Sequence, residues 1–461
     1  NALVGKVAGL TATSSDGGPG SEPKIRIRGI GSMSASSAPL YIVDGAPFDG
    51  SIATINPQDI ESMTVLKDAS SSAIYGARGA NGVIIITTKK GNNRDAQVSF
   101  DAKWGSNSRL IPQYDVIDDP ALYYETHYRA MFNSKYYNGS SAAEAYAFAD
   151  ANLLNSANGG LGYQVYTIPE GQKFIGTNFK LNPNATLGYT DGTYTYRPDD
   201  WYDETYHNSF RQEYNVSVNG QAERLSYYAN VGYLDDGGTV NNSGFERYTA
   251  RTNVEYQAKD WLKLSTNLSF TSAESQSPAY GSTYGSSGNL FYITNSIAPI
   301  YPLYVRDADG NIMMENGRKV YDSNQTNFVR PTIVGNAVRD NEYNRYKGTN
   351  ETFSGKWAAT ITPIEGLILQ ATLSTTSIQS RSSSLYSRFG SATSVDGAVS
   401  VSSSRYFTVN QLYTANYHKT FADVHNFDIL AGYEDPKPAY TTLATFLKIL
   451  TNKGFVKSQK V

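Results

Sequence analysis

The chain has 461 residues, no cysteine, and 39 lysine and arginine residues against 42 aspartate and glutamate residues, which gives a formal net charge of −3. This balance argues against a nucleic-acid-binding protein, which would carry a basic face or stripe. Because cysteine is absent, disulfides and thiolate metal sites are excluded within the chain. The 36 tyrosine and 40 glycine residues indicate many strands and turns.

The first 91 residues have the pattern of a small α/β unit. Three short strands and one continuous apolar run are predicted from the residue types: IRIRG (25–29), YIVDG (41–45), MTVLK (63–67) and GVIIITT (82–88). The apolar run predicts a buried strand, so we expect a small sheet that other elements cover.

Helix signals lie between these strands. Asn56 and Pro57 have the residue types of a helix N-cap and of the first helical position. Asp68 is expected to cap a helix of one or two turns over ASSSAIY, and Gly76 is expected to end it in the left-handed conformation.

From about residue 96 the pattern changes to an alternation of apolar and polar residues, as at Val98, Phe100 and Trp104. About nine such segments follow, each about 9–11 residues long, which is the length that crosses a bilayer at a strong tilt. Short turns alternate with long loops at 106–211 and 272–349, as in an outer-membrane β-barrel. A soluble β-sandwich or β-helix is the alternative, although sandwich strands are shorter.

The first long loop contains two predicted helices. One is ALYYETHYRAMF, which follows Asp119 and Pro120, and the other is the alanine-rich SSAAEAYAFADANLL. Loops of this length inside a compact domain are usually functional.

About nine strands do not make a complete barrel that holds a plug. A sheet in lipid must close, and barrels that contain a folded plug have about 22 strands. We therefore expect a membrane β protein: a small α/β plug domain at 1–91, followed at 96–435 by antiparallel transmembrane strands of an incomplete barrel from a 22-stranded parent. Residues 436–461 break the alternation and have the pattern of a short basic amphipathic helix, with no assigned domain. Asn1 is not followed by a signal segment, so we expect a removed start or a piece of a longer protein.

Five stretches of the chain together resemble one family of membrane proteins. They are NALVGKVAGL, PKIRIRGIGS, PLYIVDGAP, INPQDIESMTVLKDASSSAIYGARGANGVIIITTKKG and DWYDETYHNSFRQEYNVSVNG. As an ordered set they are similar to TonB-dependent outer-membrane transporters, in the branch of SusC/RagA-like nutrient importers. The resemblance extends to about residue 435, and the ending from Pro436 departs from it.

The resemblance implies active import of an oligosaccharide or a peptide across the bacterial outer membrane, through a multi-pass barrel surrounded by lipid. It implies that the TonB protein drives import through a segment that lies before the plug and is missing here. It also implies a SusD-like surface lipoprotein as partner. The alternatives are a siderophore-type TonB-dependent receptor and a non-transporting surface β-domain, such as an adhesin or binding protein.

The resemblance also assigns a plug signature to twelve residues: Arg26, Arg28, Gly29, Asp44, Gly45, Asp59, Glu61, Lys67, Asp68, Tyr75, Gly76 and Gly82. Seven charged plug residues are expected to contact the polar lumen wall or, equally, to form the soluble surface of the plug: Arg26, Arg28, Asp44, Glu61, Lys67, Asp68 and Arg78.

Loop aromatics are the candidates for contact with a substrate, because their rings offer apolar area with a polar tip that suits sugars and peptides. They are Tyr123, Tyr124, Tyr128, Tyr136, Tyr137, Trp201, Tyr202 and Tyr206. The alternative is that these rings pack the loops or lie at the membrane interface.

No pattern in the chain predicts catalysis, a metal site or a cofactor. Gly76, Gly79 and Gly82 follow a helix and precede a strand, whereas a dinucleotide-binding loop has the reverse order. Asp307, Asp309 and Asn311 begin like a calcium loop, but the glycine and glutamate that such a loop requires are absent, so we expect a simple turn at Gly310. We therefore expect a transporter and not an enzyme.

Overall fold

The structure is a computed structural model that describes residues 10–13, 17–27, 29, 37–48, 50–68, 73–92, 94–110, 115–278, 289–323, 335–390, 397–421, 425–448 and 458–460. Among these residues, no helix is both long enough and apolar enough to cross a membrane.

The plug unit, residues 10–92, is a four-stranded sheet with a separate hairpin packed on it. The hairpin pairs β1 (Leu10–Thr13) with β2 (Lys24–Ile27). The sheet has the order β4-β3-β6-β5 and consists of β3 (Leu40–Val43), β4 (Ala46–Phe48), β5 (Ile60–Leu66) and β6 (Val83–Thr88). Ile84 and Ile86 of β6 pack with Leu10 and Ile27 of the hairpin in one buried cluster. This confirms the buried strand that the apolar run predicts.

Tight connections join the strands of the plug unit. Asp44 and Gly45 form the turn between β3 and β4 with φ angles of 50° and 81°, a geometry that favours an Asp-Gly pair. The Asn56 side chain accepts a hydrogen bond from the Gln58 amide at 3.0 Å and begins a 3-10 turn at Pro57–Asp59. The predicted cap at Asn56 is therefore confirmed.

The helix predicted before Gly76 is only partly present. Residues 69–72, and with them the helix start that Asp68 was expected to cap, lie outside the described residues. A 3-10 segment covers Ala73–Gly79 and bends at Gly76, which has φ 57° and ψ −146°. The prediction that Gly76 ends a helix in the left-handed conformation is wrong, because its ψ differs from that conformation and the turn resumes as far as Gly79. Glycine still suits this position, since a side chain would be strained at such a φ.

A long loop follows the first wall strand, β7 (Gln97–Asn107). Its helices are α1 (Pro120–Tyr136), α2 (Ala142–Asn152) and α3 (Trp201–Thr205), and its short strands are β8 (Tyr166–Thr167), β9 (Thr186–Leu187), β10 (Tyr189–Thr190) and β11 (Tyr194–Tyr196). Asp119 caps α1, and Ser141 and Glu144 form a capping box at α2. Both predicted loop helices are confirmed.

The remaining wall strands are joined by short turns and by a second long loop. Four precede that loop: β12 (Ser209–Gln221), β13 (Leu225–Gly237), β14 (Gly244–Lys259) and β15 (Leu262–Ser277). The loop contains α4 (Leu290–Ser296), β16 (Arg306–Asp307), β17 (Met314–Glu315), β18 (Arg318–Lys319) and α5 (Ala337–Tyr343). Five strands follow it: β19 (Arg345–Ile364), β20 (Leu367–Tyr386), β21 (Ala398–Phe421), β22 (His425–Lys448) and β23 (Ser458–Lys460).

Within the described residues these strands form one ten-stranded antiparallel wall sheet, in the order β7-β12-β13-β14-β15-β19-β20-β21-β22-β23. The nine long strands agree with the expected number, and β23 adds a three-residue tenth. With β7 at one edge and β23 at the other, the barrel is incomplete in this chain.

Most of the wall strands are longer than the 9–11 residues that the alternation predicts. The nine long strands range from 11 residues in β7, which matches the prediction, to 24 in β21 and β22, and the other eight all exceed it. The apolar alternation occupies only part of each strand, for example Leu225 to Tyr233 in β13, while backbone pairing with the neighbouring strand continues beyond it. Side-chain pattern thus predicts the apolar band of each strand and not where its hydrogen bonding ends.

The prediction of a helix in the last residues is also wrong for residues 436–448. Residues 436–448 extend β22 and pair with β21, from Pro436 opposite Asn410 to Lys448 opposite Ala398. A long neighbouring strand offers backbone partners at every step, which outweighs a weak local preference for helix.

The two faces of the wall sheet have opposite polarity. On β13, Val231 is 62% exposed, whereas the adjacent Asn230, which faces the plug unit, is only 3% exposed. Arg247, Arg251 and Asn253 of β14 are likewise buried on the plug side. An aromatic row of Trp104, Tyr214, Tyr233 and Tyr248 crosses the opposite face, with neighbouring ring centroids 4.9–6.4 Å apart. In a sandwich the apolar face would be covered, so the described residues contradict that alternative.

Candidate functional site at the plug and wall interface

The Asp44 turn connects the plug unit to the wall. Its carboxylate accepts hydrogen bonds from the Thr88 amide at 2.8 Å, from the Thr88 hydroxyl at 2.6 Å, and from the Asn267 side chain of β15. Its backbone carbonyl accepts a hydrogen bond from Nζ of Lys356 in β19 at 2.5 Å. Glycine suits position 45 because its φ is 81°, whereas a Cβ there would meet that ammonium only at an ordinary contact distance of 3.4 Å.

Asp59 forms the second connection and is almost fully buried. Its Oδ1 accepts hydrogen bonds from the Tyr228 hydroxyl at 3.0 Å and from the Asn230 amide at 2.7 Å, both on β13. Nε of Arg251 lies 3.3 Å from Oδ2 of Asp59, and Nη1 of the same guanidinium lies 3.7 Å from Oδ2 of Asp44. One wall arginine therefore bridges both plug carboxylates.

Further hydrogen bonds, most of them between neutral groups, surround this charged centre. The Asn56 amide donates to Asn215 at 2.6 Å and to Thr249 at 3.1 Å. Nη1 of Arg247 donates to the Ala53 carbonyl at 2.6 Å, and Thr271 donates to the Thr54 carbonyl at 2.9 Å. Together with the contacts of Asp44 and Asp59, the interface joins polar groups of β12, β13, β14, β15 and β19 to residues 44 and 53–59 of the plug unit.

The end of β6 is held in the same way. The Asn253 amide donates to the Thr88 hydroxyl at 2.9 Å and to the Lys89 carbonyl at 2.6 Å. Lys90 pairs with Glu255 at 2.6 Å, and Ser226 donates to the Gly91 carbonyl at 2.7 Å. The last residues of the plug unit therefore run along β13 and β14.

A cavity of about 50 Å³ lies between the Asp44 turn and the wall. Polar side chains form much of its lining, among them Asp59, Arg251, Ser354 and Lys356. A buried polar network of this kind is stable only while its members stay paired. Such an interface can hold a plug without a large apolar contact that would resist separation.

The structure brings only some of the predicted plug residues to this interface. Asp44, Gly45 and Asp59 lie there, and Gly82 (φ 86°) packs against Ile27 inside the plug unit. Glu61, Asp68, Gly76, Arg78 and Gly29 are exposed and lie outside the buried centre, Arg26, Lys67 and Tyr75 are partly exposed, and Arg28 lies outside the described residues. The wall contact expected for Asp44 is therefore present.

Sequence reasoning missed several contributors. The polar face of the predicted strands includes Arg251, Asn253 and Asn267. The alternation does not predict which residues these side chains contact. Asn56 was identified only as a helix cap, although its amide also binds the wall. The plug unit comes close to the wall at Gly232, where a side chain would lie 2.5 Å from the Asn56 amide. Nothing in the sequence pattern predicts this close contact.

The two long loops pack into one loop unit, which we define as residues 115–208 and 289–344 within the described part of the chain. Nε1 of Trp201 donates to the Tyr301 carbonyl at 3.0 Å, and the Tyr301 hydroxyl donates to the Leu161 carbonyl at 3.1 Å. Asp199 accepts two hydrogen bonds from Arg306, at 2.5 and 3.0 Å. These contacts join residues about a hundred positions apart and give the loops their own core.

Burial also changes the acidity of tyrosines in the loop unit. It raises the pKa of Tyr321 to about 12, with Glu342 as a further cause. It raises the pKa of Tyr304, whose hydroxyl also donates to the Glu204 carboxylate at 2.8 Å. These phenols stay neutral hydrogen-bond donors at physiological pH.

Three of the predicted substrate contacts are corrected by their burial. Tyr124, Tyr128 and Trp201 are 0%, 1% and 3% exposed and form the core of the loop unit. Tyr136 and Tyr137 are exposed, and Tyr123, Tyr202 and Tyr206 are half-buried. The Arg109 guanidinium carbon lies 4.9 Å from the Tyr202 ring centroid and 4.3 Å from that of Tyr206. Contact of these remaining rings with a substrate stays a prediction.

The acidic stretch at Asp307 forms a turn, as expected. The Asp307 carboxylate accepts from the Asp309 and Asn311 amides at 3.1 and 2.9 Å, and Gly310 has φ 86°. Over the described ranges, no group of three or more histidine, aspartate or glutamate side chains is arranged to hold a metal ion.

Comparison with known proteins agrees with this geometry. Residues 1–83 match the family model described as the TonB-dependent Receptor Plug Domain. The chain is 33% identical over 312 residues to "TonB-dependent receptor SusC" of Bacteroides thetaiotaomicron, which covers 66% of this chain and 25% of that protein. It is 28% identical over 382 residues to "TonB-dependent receptor P26" of Formosa agariphila, which covers 81% of this chain and 31% of that protein.

A solved structure of the RagAB peptide importer in its closed-closed state has a TM-score of 0.69 at 25% identity, and covers 97% of this chain and 50% of that chain. The chain thus spans about a quarter to a third of these two curated relatives and half of the solved chain. The plug unit, the wall sheet with its apolar face turned away from the plug, and these likenesses together support a TonB-dependent receptor of the SusC/RagA type.

Proposed function

We propose that the protein imports an oligosaccharide or a peptide across the bacterial outer membrane. The observation that carries this proposal is a plug unit held by buried polar groups against a wall whose apolar face points away from it. The apolar residues that share a face with Val231 suit contact with lipid, and the polar face suits the lumen of a barrel. Polar groups of this kind can exchange their partners for water when the plug is displaced, which suits a plug that must move during transport.

The energy source and the partner are part of the same proposal. TonB would drive import, and a SusD-like surface lipoprotein would cooperate from outside. We assign residues 1–91 to the plug domain, since the contacts to the wall run as far as the Gly91 carbonyl. The wall begins at β7 and extends past residue 435, because β22 reaches Lys448.

Uptake by cells that carry the full-length protein tests this proposal. Labelled pools of oligosaccharides and of peptides are offered with and without a protonophore, and the protein is purified under mild conditions to identify partners. We expect one pool to accumulate, the protonophore to abolish accumulation, and a lipoprotein to co-purify. Uptake of ferric chelates without a lipoprotein would favour the siderophore-type receptor. Binding of either pool without any accumulation would favour a non-transporting surface protein.

A further inference from the structure

The face of the wall sheet that points away from the plug unit carries two arginines on β20 and β21. In register, Phe353 of β19 lies opposite Ser377 of β20, which lies opposite Phe407 of β21. Two residues further along each strand, on the same face, Gln379 lies opposite Arg405. Another two residues along, Arg381 lies diagonal to Arg405, which places both guanidinium groups beyond the pair of aromatic rings.

These arginines lie where the apolar band ends. Below the aromatic pair, the same face carries Trp357, Leu373 and Tyr413, which are all exposed. Beyond it, β20 runs through the serine-rich segment at 380–384 towards the long connection to β21. The arginines are therefore on the side of the long connections, opposite to the short turns of the sheet.

Both guanidinium groups are exposed and lack a charged partner on the described part of the chain. The Arg405 guanidinium carbon lies 5.8 Å from the Phe407 ring centroid. Lys347, the next cation on this face, is already paired with Glu274 at 2.5 Å. Glu351, which lies opposite Gln379, adds one negative charge to this part of the face. With the two positive charges of Arg381 and Arg405, the local net charge is +1.

We propose that Arg381 and Arg405 bind the phosphate group of an anionic lipid headgroup. This inference rests on the proposed membrane location, because it requires the apolar band to lie in lipid. The acyl chains lie against Phe353 and Phe407, and Ser377 and Gln379 hydrogen-bond to the polar part of the headgroup between chains and phosphate. Guanidinium groups bind phosphate oxygens through charge-assisted, often bidentate hydrogen bonds.

Native mass spectrometry of the full-length protein in detergent tests this inference. The probes are dioleoyl phosphatidic acid and dioleoylglycerol, which have the same chains and differ in the phosphate. The double variant Arg381→Gln with Arg405→Gln is compared with the single variant Arg224→Gln. Arg224 is an exposed arginine in a short turn, at the opposite end of the strands. We expect about fivefold weaker binding of phosphatidic acid for each arginine removed, no change for the control, and weak binding of dioleoylglycerol by all forms.

Equal binding of phosphatidic acid by the parent and the double variant would overturn the inference, as would equal binding of the two probes by the parent. Inorganic phosphate that competes fully with the lipid would show an ion site without a lipid contact, and would also overturn it. Insertion of the parent into lipid bilayers is measured in parallel. If the parent fails to insert, the proposed function fails, whereas insertion with unchanged lipid binding by the double variant rejects the lipid site alone.

Discussion

Replacing Arg251 with methionine in the full-length protein is expected to weaken the seating of the plug by about 3–5 kcal/mol, the usual cost of removing one partner of a buried ion pair. The reason is that Arg251 bridges the carboxylates of Asp44 and Asp59, which stay buried when the guanidinium is removed. Conductance of the protein in planar lipid bilayers measures this effect. The variant should begin to conduct ions at a clearly lower urea concentration than the parent.

Two further variants make this prediction specific. Arg224→Met removes an exposed pair with Asp260, in which the two side chains are 55% and 94% exposed, and such pairs contribute about 0–1 kcal/mol. Its conductance should match the parent. Asp59→Asn added to Arg251→Met removes an uncompensated charge and should recover part of the loss, because the two sites are coupled. If Arg251→Met and Arg224→Met open at the same urea concentration as the parent, the bridge does not hold the plug.

The second large effect is expected from Trp201→Ala, which should destabilise the loop unit by about 3–5 kcal/mol, as is typical for a buried tryptophan. The indole of Trp201 is buried and donates to the Tyr301 carbonyl, so its loss opens a cavity where the two long loops meet. Limited proteolysis of the membrane-inserted protein measures the effect as faster cleavage within residues 115–208.

Trp261→Ala is the matched control, because Trp261 is 50% exposed at a short turn. The rate of cleavage within residues 115–208 should be the same in Trp261→Ala as in the unmutated protein. Both variants should keep the barrel intact, as judged by mobility on unheated gels. Unchanged cleavage of Trp201→Ala, combined with a loss of substrate binding, would return Trp201 to the list of direct substrate contacts.

Periodic side-chain pattern was sufficient to predict the wall. The alternation from Val98 onward identified nine strands and the apolar band on each, because every second residue meets the same environment. The same pattern did not predict where β20 to β22 end or that Pro436 continues a strand, since backbone pairing with a neighbour does not depend on that alternation. Both errors concern contacts that a neighbouring strand supplies.

The alternation of side chains does not predict contacts between residues that are far apart in the sequence. Asp44 and Asp59 were noted as signature residues, yet their common partner Arg251 is about two hundred positions away. Tyr124 and Trp201 have the residue types of a sugar or peptide contact, and only the docking of the two loops shows that their rings are buried. Residue type alone does not distinguish a ring that packs a loop from one that meets a ligand.

The most direct test of the central claim, that lipid covers one face of the wall and the plug the other, is a scan of single cysteines along 226–234 of β13 in the membrane-inserted protein. The chain has no cysteine, so each introduced thiol in this part can be spin-labelled on its own. Odd positions such as Ala229 and Val231 should be accessible to dissolved oxygen from lipid, and even positions such as Tyr228 and Asn230 should be shielded from it. Equal accessibility at odd and even positions, or odd positions shielded from lipid, would contradict the claim.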